Sequence, residues 1–202
     1  MFKVDSAEYR FLKTLNTPHK IQAYLESIPF NHERGGETCM SVLEVLKKKR
    51  AHCFEGALVA CACLMLMGEK PLIVSLKAER PDDDHIIVLF KRSGYYGAIS
   101  KTNHPVLRYR DPVYRSVREL VMSFFHEYYL FKKGNKTLRG YTKPINMRRF
   151  GTGWIDSTEH QWDIARTIYD TPTLPVIPKT NRRFVKKATP FERKAFDIQE
   201  WR

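Results

Sequence analysis

The feature that most constrains this chain is the segment from Gly56 to Gly68, which is apolar almost without interruption. A helix on a protein surface is apolar along one stripe, so a helix that is apolar on every side belongs inside a core. The segment is shorter than the roughly 18 to 20 apolar residues that cross a membrane. It therefore predicts a central buried helix, and small residues such as Gly56 and Ala60 would let neighbouring elements approach closely.

The hydrophobic period changes after this helix. Residues 71–76, 85–90 and 95–100 are short apolar runs separated by polar turns, a pattern typical of strands in an antiparallel meander. Capping patterns predict further helices at Asp5 with Glu8, Ser41 with Glu44, Ser116 with Glu119 in a helix through Tyr128, Asp156 with Glu159, and Thr189 with Glu192. Helices around such a sheet predict the α+β class.

The length of 202 residues suits one domain with a tail. We expect a domain over residues 1–170, and three prolines between Thr171 and Lys179 predict an extended connector. A C-terminal helical tail would complete the segment 171–202. The N-terminus is charged and lacks an apolar signal core, so a cytoplasmic protein without a membrane span is expected. The sequence leaves the oligomeric state open.

The cysteines indicate where chemistry could occur. The chain has four: Cys39, Cys53, Cys61 and Cys63. Cys61 and Cys63 point to different helix faces and no CxxC pair occurs, so neither a disulfide framework nor a zinc site is expected. A buried cysteine is often only a packing residue. Cys53, however, lies where the central helix begins, and the unpaired N–H groups of a helix start favour a thiolate.

A histidine partner for this thiol must come from elsewhere in the fold. His85 opens the second strand of a sheet that should pack on the helix. Together the two residues predict a nucleophile, Cys53, and a base, His85. His52 and Glu55 flank the cysteine, where His52 could cap the helix or tune the thiol. Glu55 would oppose a thiolate if it faced Cys53.

The run Arg50–Ala57, a buried helix ending at Leu66–Gly68, a strand, and His85 opening the next strand resemble the transglutaminase-like superfamily. That superfamily has a papain-like Cys–His fold and includes microbial cysteine peptidases. The resemblance extends over roughly residues 40–105. It implies a central buried Cys-bearing helix packed on an antiparallel sheet, here with additional C-terminal helices. It also implies a triad of helix-start Cys, strand His and strand-end Asp.

The third position departs from that pattern. Ser100 falls where the superfamily has Asp, and Asn103 is near enough to serve instead, as an amide does in papain-like enzymes. Asp82, Asp83 and Asp84 directly precede His85, which makes their geometry toward its ring unfavourable. The resemblance implies a thiol-dependent enzyme acting on an amide or acyl bond of a protein, peptide or other amide substrate. Hydrolysis and acyl transfer both remain open, and no metal or organic cofactor is implied.

The charge distribution supports an alternative function. The net charge is +13, and residues 101–150 carry twelve Lys and Arg against three Asp and Glu. Arg108, Arg110 and Arg115 interleave with tyrosines and could hold an anionic partner. The alternative is thus a catalytically impaired binding module with a basic surface. The same residues could also form a solvated face or one wall of a substrate cleft.

Overall fold

The computed structural model describes residues 6–201. Its α-helices are α1 (Ala7–Thr14), α2 (Pro18–Ser27), α3 (Val42–Lys48), α4 (Cys53–Leu66), α5 (Val117–Met122), α6 (Gly153–Asp156), α7 (Trp162–Asp170) and α8 (Pro190–Arg193). Its strands are β1 (Leu72–Ala78), β2 (His85–Arg92), β3 (Tyr95–Ser100), β4 (Arg110–Tyr114), β5 (Leu138–Thr142), β6 (Ile145–Asn146) and β7 (Thr173–Pro175). Short 3₁₀ helices cover Met147–Phe150, Lys179–Phe184 and Lys194–Asp197. The predicted α+β class is confirmed.

The strands form one antiparallel sheet in the order β4-β3-β2-β1-β5-β7, and β6 also pairs with β1. The β2–β3 hairpin turns at Ser93 and Gly94, where both residues have positive φ, 49° and 87°. Such two-residue turns fix the register of a hairpin. Ile87 consequently lies opposite Ser100. His85 and Ser100 are therefore diagonal neighbours on the same face of the sheet.

Both faces of the sheet are covered. Ile86, Val88 and Phe90 belong to the buried cluster that contains α4. Ile87 and Leu89 alternate with them and pack in a second cluster, with α5 and the segment that follows it. The central strands are thus buried on both sides, which explains why residues 86–90 are continuously apolar. As predicted, α4 is the central buried helix, and within residues 6–201 no helix is long and apolar enough to span a membrane.

Gly56 allows the segment after β3 to approach the start of α4. A Cβ atom at Gly56 would lie only 2.7 Å from Cβ of Lys101. Lys101 cannot easily move away, because its buried ammonium donates to the carbonyls of Leu25 at 2.8 Å and Ile28 at 2.6 Å. These carbonyls lie at the C-terminal end of α2, where a cation is favoured. The close contact positions the residues that follow Ser100 beside Cys53.

Several helix ends differ from the sequence predictions. Asp5 lies outside the described residues, and Ser6 caps α1 by accepting from Tyr9 N at 3.1 Å. The predicted helix through Tyr128 is wrong, because α5 ends at Met122 and the chain continues in turns with i to i−3 hydrogen bonds. The predicted start at Asp156 is also wrong. Asp156 ends α6, and α7 begins only after Gln161, whose N–H donates to Cys39 O at 2.6 Å.

Within the described residues, the C-terminal segment from residue 171 to residue 201 packs against the rest of the protein. The expected connector contributes β7, which pairs with β5 at the edge of the sheet. The capping box predicted at Thr189 and Glu192 is confirmed, and it starts α8. Residues 188–201 then run along loops near the start of α4, with Glu200 N donating to Asn103 O at 2.9 Å.

Candidate active site

Cys53 is the first residue of α4 and is half-buried. The preceding residue, His52, is the N-cap, and His52, Cys53 and His85 line the same cavity, where the two imidazoles lower the pKa of the thiol. As the first helical residue, Cys53 also has a backbone N–H without an acceptor inside the helix. The start of α4 therefore surrounds one sulfur atom with two imidazoles and a helix terminus.

The tautomer of His85 follows from its hydrogen bonds. The Nε2 atom lies 2.7 Å from Ser100 Oγ, and that hydroxyl lies 2.6 Å from the carbonyl oxygen of Leu107. A carbonyl only accepts, so Ser100 gives its one proton to Leu107 and must accept from Nε2–H of His85. The proton of neutral His85 is thus held on Nε2, which leaves Nδ1 as a base for the thiol.

A second polar cluster lies behind His52. Glu55 is fully buried and accepts from the side chains of Asn31 at 3.0 Å and Thr38 at 2.7 Å, and from His52 N at 2.9 Å. Burial raises the pKa of Glu55, but hydrogen bonds from His52 and Thr38 and the charge of His52 outweigh it and lower the pKa to about 2. The carboxylate therefore faces His52 and the 31–38 loop, which supply its hydrogen bonds.

His52 connects that cluster to the thiol. Its Nε2 lies 3.0 Å from Thr38 O, and Nδ1 lies 3.3 Å from Phe54 N, which is the helix cap. Burial lowers the pKa of His52, whereas hydrogen bonds to Cys53 and Glu55 raise it by more. A cap at Nδ1 requires that nitrogen to be unprotonated. Protonation of the ring at Nδ1 would therefore break the hydrogen bond that caps the helix and place a positive charge beside Cys53.

The net effect on the thiol is strong. Burial raises the pKa of Cys53, but hydrogen bonds from His52 and His85 and the positive charges of the two rings lower it to about 5. The other cysteines behave in the opposite way: burial raises the pKa of Cys39 and of Cys63 to about 12, and that of Cys61 well above its usual range. Cys53 is the cysteine that exists as thiolate at neutral pH.

A cavity of about 540 Å³ opens over Cys53 and His85. Its walls include the 31–33 loop, the 82–84 loop, the segment 101–104 and two tyrosines, Tyr128 and Tyr129. Phe196 and Gln199 of the C-terminal segment close one side. Phe196 packs on the rings of His104 and Tyr129, with centroids 4.7 and 4.9 Å apart, and Trp201 O lies 2.7 Å from His32 Nε2.

The two candidates for the third position have different places. Ser100 contacts His85, and its backbone is held at both ends by Gln22, whose side chain donates to Ser100 O at 2.9 Å and accepts from Ser100 N at 3.0 Å. Asn103 is buried in the cavity wall, and its backbone carbonyl accepts from Glu200. Ser100 is therefore the residue on Nε2 of His85.

The three aspartates before His85 are held in other contacts. Asp84 accepts from Ala78 N at 3.0 Å and from Lys77 at 2.8 Å. Asp82 accepts from the Thr137 hydroxyl. Asp83 lies 3.7 Å from Arg80 at the surface. They form part of the cavity wall, and none of these contacts involves the imidazole of His85.

Two of the three arginines proposed for an anionic partner form ion pairs within the chain. Arg108 lies 2.8 Å from Glu200 and 3.6 Å from Glu26. Arg110 lies 2.6 Å from Glu127. Arg115 is exposed, and its backbone N–H donates to Glu119 at 2.7 Å. Arg108 and Arg110 thus serve the packing of the loop after β3.

Comparisons with known proteins do not identify the site. No protein-family model matches the chain, and a search of curated proteins gives no significant match. Among residues 6–201, no group of three or more His, Cys, Asp or Glu side chains is arranged to hold a metal ion.

Proposed function

We propose that this protein is a thiol-dependent enzyme that acts on an amide or other acyl bond, with the papain-like arrangement of the transglutaminase-like superfamily. The observation that carries the proposal is that a helix-start thiol, Cys53, and an imidazole, His85, line one cavity, with the Nε2 proton of His85 held by Ser100. A thiolate of low pKa beside a correctly held imidazole is the arrangement that nucleophilic acyl chemistry needs.

In the first half-reaction the Cys53 thiolate attacks the carbonyl carbon, and the π electrons of the carbonyl move onto its oxygen. The backbone N–H of Cys53, free at the helix start, donates to that oxyanion. As the tetrahedral intermediate collapses, the carbon–nitrogen bond breaks and the imidazolium of His85 protonates the leaving amine. The products are a free amine and an acyl thioester on Cys53.

In the second half-reaction a water or an amine attacks the thioester, and Nδ1 of His85 accepts the proton of that nucleophile. The thiolate then leaves, and His85 keeps the proton for the next cycle. Water gives hydrolysis and an amine gives acyl transfer. The cavity of about 540 Å³ has room for either nucleophile beside a peptide-like substrate.

The alternative, an impaired binding module with a basic surface, has less support. Its arginines, Arg108 and Arg110, already have carboxylate partners at 2.8 and 2.6 Å. The missing Asp is the main argument for impairment. The Ser100 hydroxyl supplies the same tautomer selection that an Asp would, although without its negative charge.

The test is acylation of the thiol by p-nitrophenyl acetate at pH 6.5. Attack on this ester releases p-nitrophenolate and leaves an acetyl thioester, which peptide mass spectrometry assigns to one cysteine. We expect the thioester on Cys53, and we expect acylation to fall roughly 100-fold or more in His85→Gln. His126→Gln, at an exposed histidine 2.9 Å from Lys136, is the matched control and should acylate normally. Equal rates in wild type and His85→Gln would contradict the proposal.

A further inference from the structure

Leu107 has an unusual backbone conformation next to the candidate active site. Its φ is +60°, in the left-handed region, although it is neither Gly nor Asn. A branched side chain adopts this conformation only where the surroundings hold it there, and such residues concentrate at functional sites. The carbonyl of Leu107 is the group that receives the proton of the Ser100 hydroxyl, at 2.6 Å. The orientation of this carbonyl thus bears directly on His85.

Glu127 holds the other side of the same residue. Its carboxylate accepts from Leu107 N at 2.8 Å, and it is itself fixed by Arg110 at 2.6 Å. Arg110 in turn donates to Ser123 Oγ at 3.0 Å, and its guanidinium lies 4.1 Å from the ring centre of Phe124. The carboxylate therefore has a rigid position between the guanidinium and the left-handed turn.

We propose that Glu127 is a positioning residue for His85, acting through Leu107 and Ser100. By holding the N–H of Leu107, Glu127 keeps the left-handed turn and so directs the carbonyl at Ser100. The hydroxyl of Ser100 is then committed as a donor to Leu107 and as an acceptor from His85. This proposal rests on the proposed function. It means that the hydrogen bond from Leu107 N to Glu127 helps to select the tautomer of His85, a role that a carboxylate fills in the expected triad.

The consequence of losing this contact is specific. If the Leu107 carbonyl turns away, the Ser100 hydroxyl is free to rotate and donate to Nε2 of His85. The proton of neutral His85 then moves to Nδ1, and the nitrogen facing Cys53 can no longer accept. The protein would remain folded, but its histidine would hold the wrong tautomer.

The experiment measures the tautomer and the acylation rate together. Protein labelled with ¹⁵N-histidine reports by NMR which ring nitrogen of His85 carries the proton in the neutral form, and p-nitrophenyl acetate reports acylation of Cys53. In Glu127→Ala we expect the signal to shift from the Nε2–H form toward the Nδ1–H form. Acylation should fall roughly tenfold or more, since the wrong tautomer alone is strongly inhibitory.

Two further variants separate positioning from folding. Glu127→Asp keeps the charge for Arg110 but is too short to hold Leu107, so it should shift the tautomer in the same direction. Glu127→Gln retains an acceptor oxygen for Leu107 N–H and should restore the Nε2–H form. Glu119→Ala, at an exposed glutamate that accepts from Arg115 N at 2.7 Å, is the matched control and should change neither signal.

The positioning role of Glu127 and the proposed enzyme activity can fail separately in these experiments. An unchanged Nε2–H tautomer in folded Glu127→Ala or Glu127→Asp overturns the positioning role. Failure of the wild-type protein to form a thioester would overturn the proposed enzyme, while the tautomer measurement would still decide the role of Glu127.

Discussion

The Ser100 hydroxyl lies 2.7 Å from Nε2 of His85 and donates its own proton to Leu107, so it contacts the histidine only as an acceptor. Serine stands here at the position where the resemblance to transglutaminase-like proteins leads us to expect a carboxylate. A neutral acceptor fixes the tautomer but stabilises an imidazolium less than a carboxylate does. The surroundings of Ser100 are therefore adapted to a hydroxyl.

This adaptation predicts that neither an apolar nor a negatively charged residue can replace Ser100. Ser100→Ala should lower acylation of Cys53 roughly 10- to 100-fold, because His85 loses its acceptor. It should also lower the free energy of unfolding by roughly 1–3 kcal/mol, because Leu107 O and Nε2–H of His85 lose their partner. Ser100→Asp should not restore the expected triad, because a buried carboxylate would face the Leu107 carbonyl without a proton to donate. We expect it to lower the free energy of unfolding by roughly 2 kcal/mol or more. Urea denaturation and the ester assay measure both effects, and a stable, faster Ser100→Asp protein would contradict the account.

Glu55 predicts a pH dependence of stability. Its pKa is about 2 in the folded protein against an ordinary 4.5. A lowered pKa contributes stability above pH 4.5, and that contribution is lost as the pH falls from 4.5 toward 2. It amounts to about 3 kcal/mol at neutral pH.

The matching experiment compares Glu55→Gln with the wild type by urea unfolding at several pH values. The variant should be much less stable than the wild type at pH 7, and the difference should shrink as the pH approaches 2. Glu37→Gln, at an exposed glutamate, is the control and should follow the wild type. If the difference in the free energy of unfolding between Glu55→Gln and wild type did not change with pH, the lowered pKa of Glu55 would not be the source of the pH-dependent stability.

The close approach of Lys101 to Gly56 predicts that even a methyl side chain at position 56 lowers the stability of the protein. Alanine is usually favoured over glycine inside a helix by about 1 kcal/mol. Here, however, the new methyl group would lie 2.7 Å from Cβ of Lys101, whose ammonium is fixed. Overpacking of this kind costs roughly 1–3 kcal/mol, so Gly56→Ala should lower the thermal midpoint. Gly153→Ala, where nothing lies within 4 Å, is the control and should not.

The paired arginines predict a loss of stability rather than of anion binding. The double variant Arg108→Ala with Arg110→Ala leaves Glu200 and Glu127 without their arginine partners, and because both ion pairs are partly exposed it should lower the free energy of unfolding by roughly 1 kcal/mol. Its affinity for heparin at moderate salt should stay within the error of the wild type. Arg115→Ala, at an exposed arginine, should change neither quantity. Weakened heparin binding in the double variant alone would instead favour the binding-module alternative.

Local sequence patterns predicted the elements on which the site is built. The uniformly apolar run marks α4 because only a buried helix tolerates it, and α4 begins at Cys53 as expected. The turn at Ser93 and Gly94 sets the hairpin register, and that register alone makes His85 and Ser100 diagonal neighbours. The pairing of these two residues was therefore accessible from spacing.

The supporting contacts could not be predicted, because they join residues distant in sequence. Gln22 holds the backbone of Ser100 across 78 positions, and no local pattern marks a glutamine on α2 for this role. Glu127 reaches Leu107 across 20 positions, and only the fold shows that Leu107 is left-handed. The mistaken helix start at Asp156 has the same origin, since the contact of Gln161 with Cys39 decides where α7 begins.

The measurement that tests the central claim most directly is the pH dependence of Cys53 alkylation by iodoacetamide, followed at the Cys53 peptide by mass spectrometry. The pKa of about 5 means that the rate should rise through pH 5 and be close to its plateau by pH 6.5. Cys39 and Cys63, with pKa values of about 12, should stay unmodified there in the folded protein. A Cys53 rate that rises only near pH 9, like that of an ordinary thiol, would contradict an activated nucleophile at the start of α4.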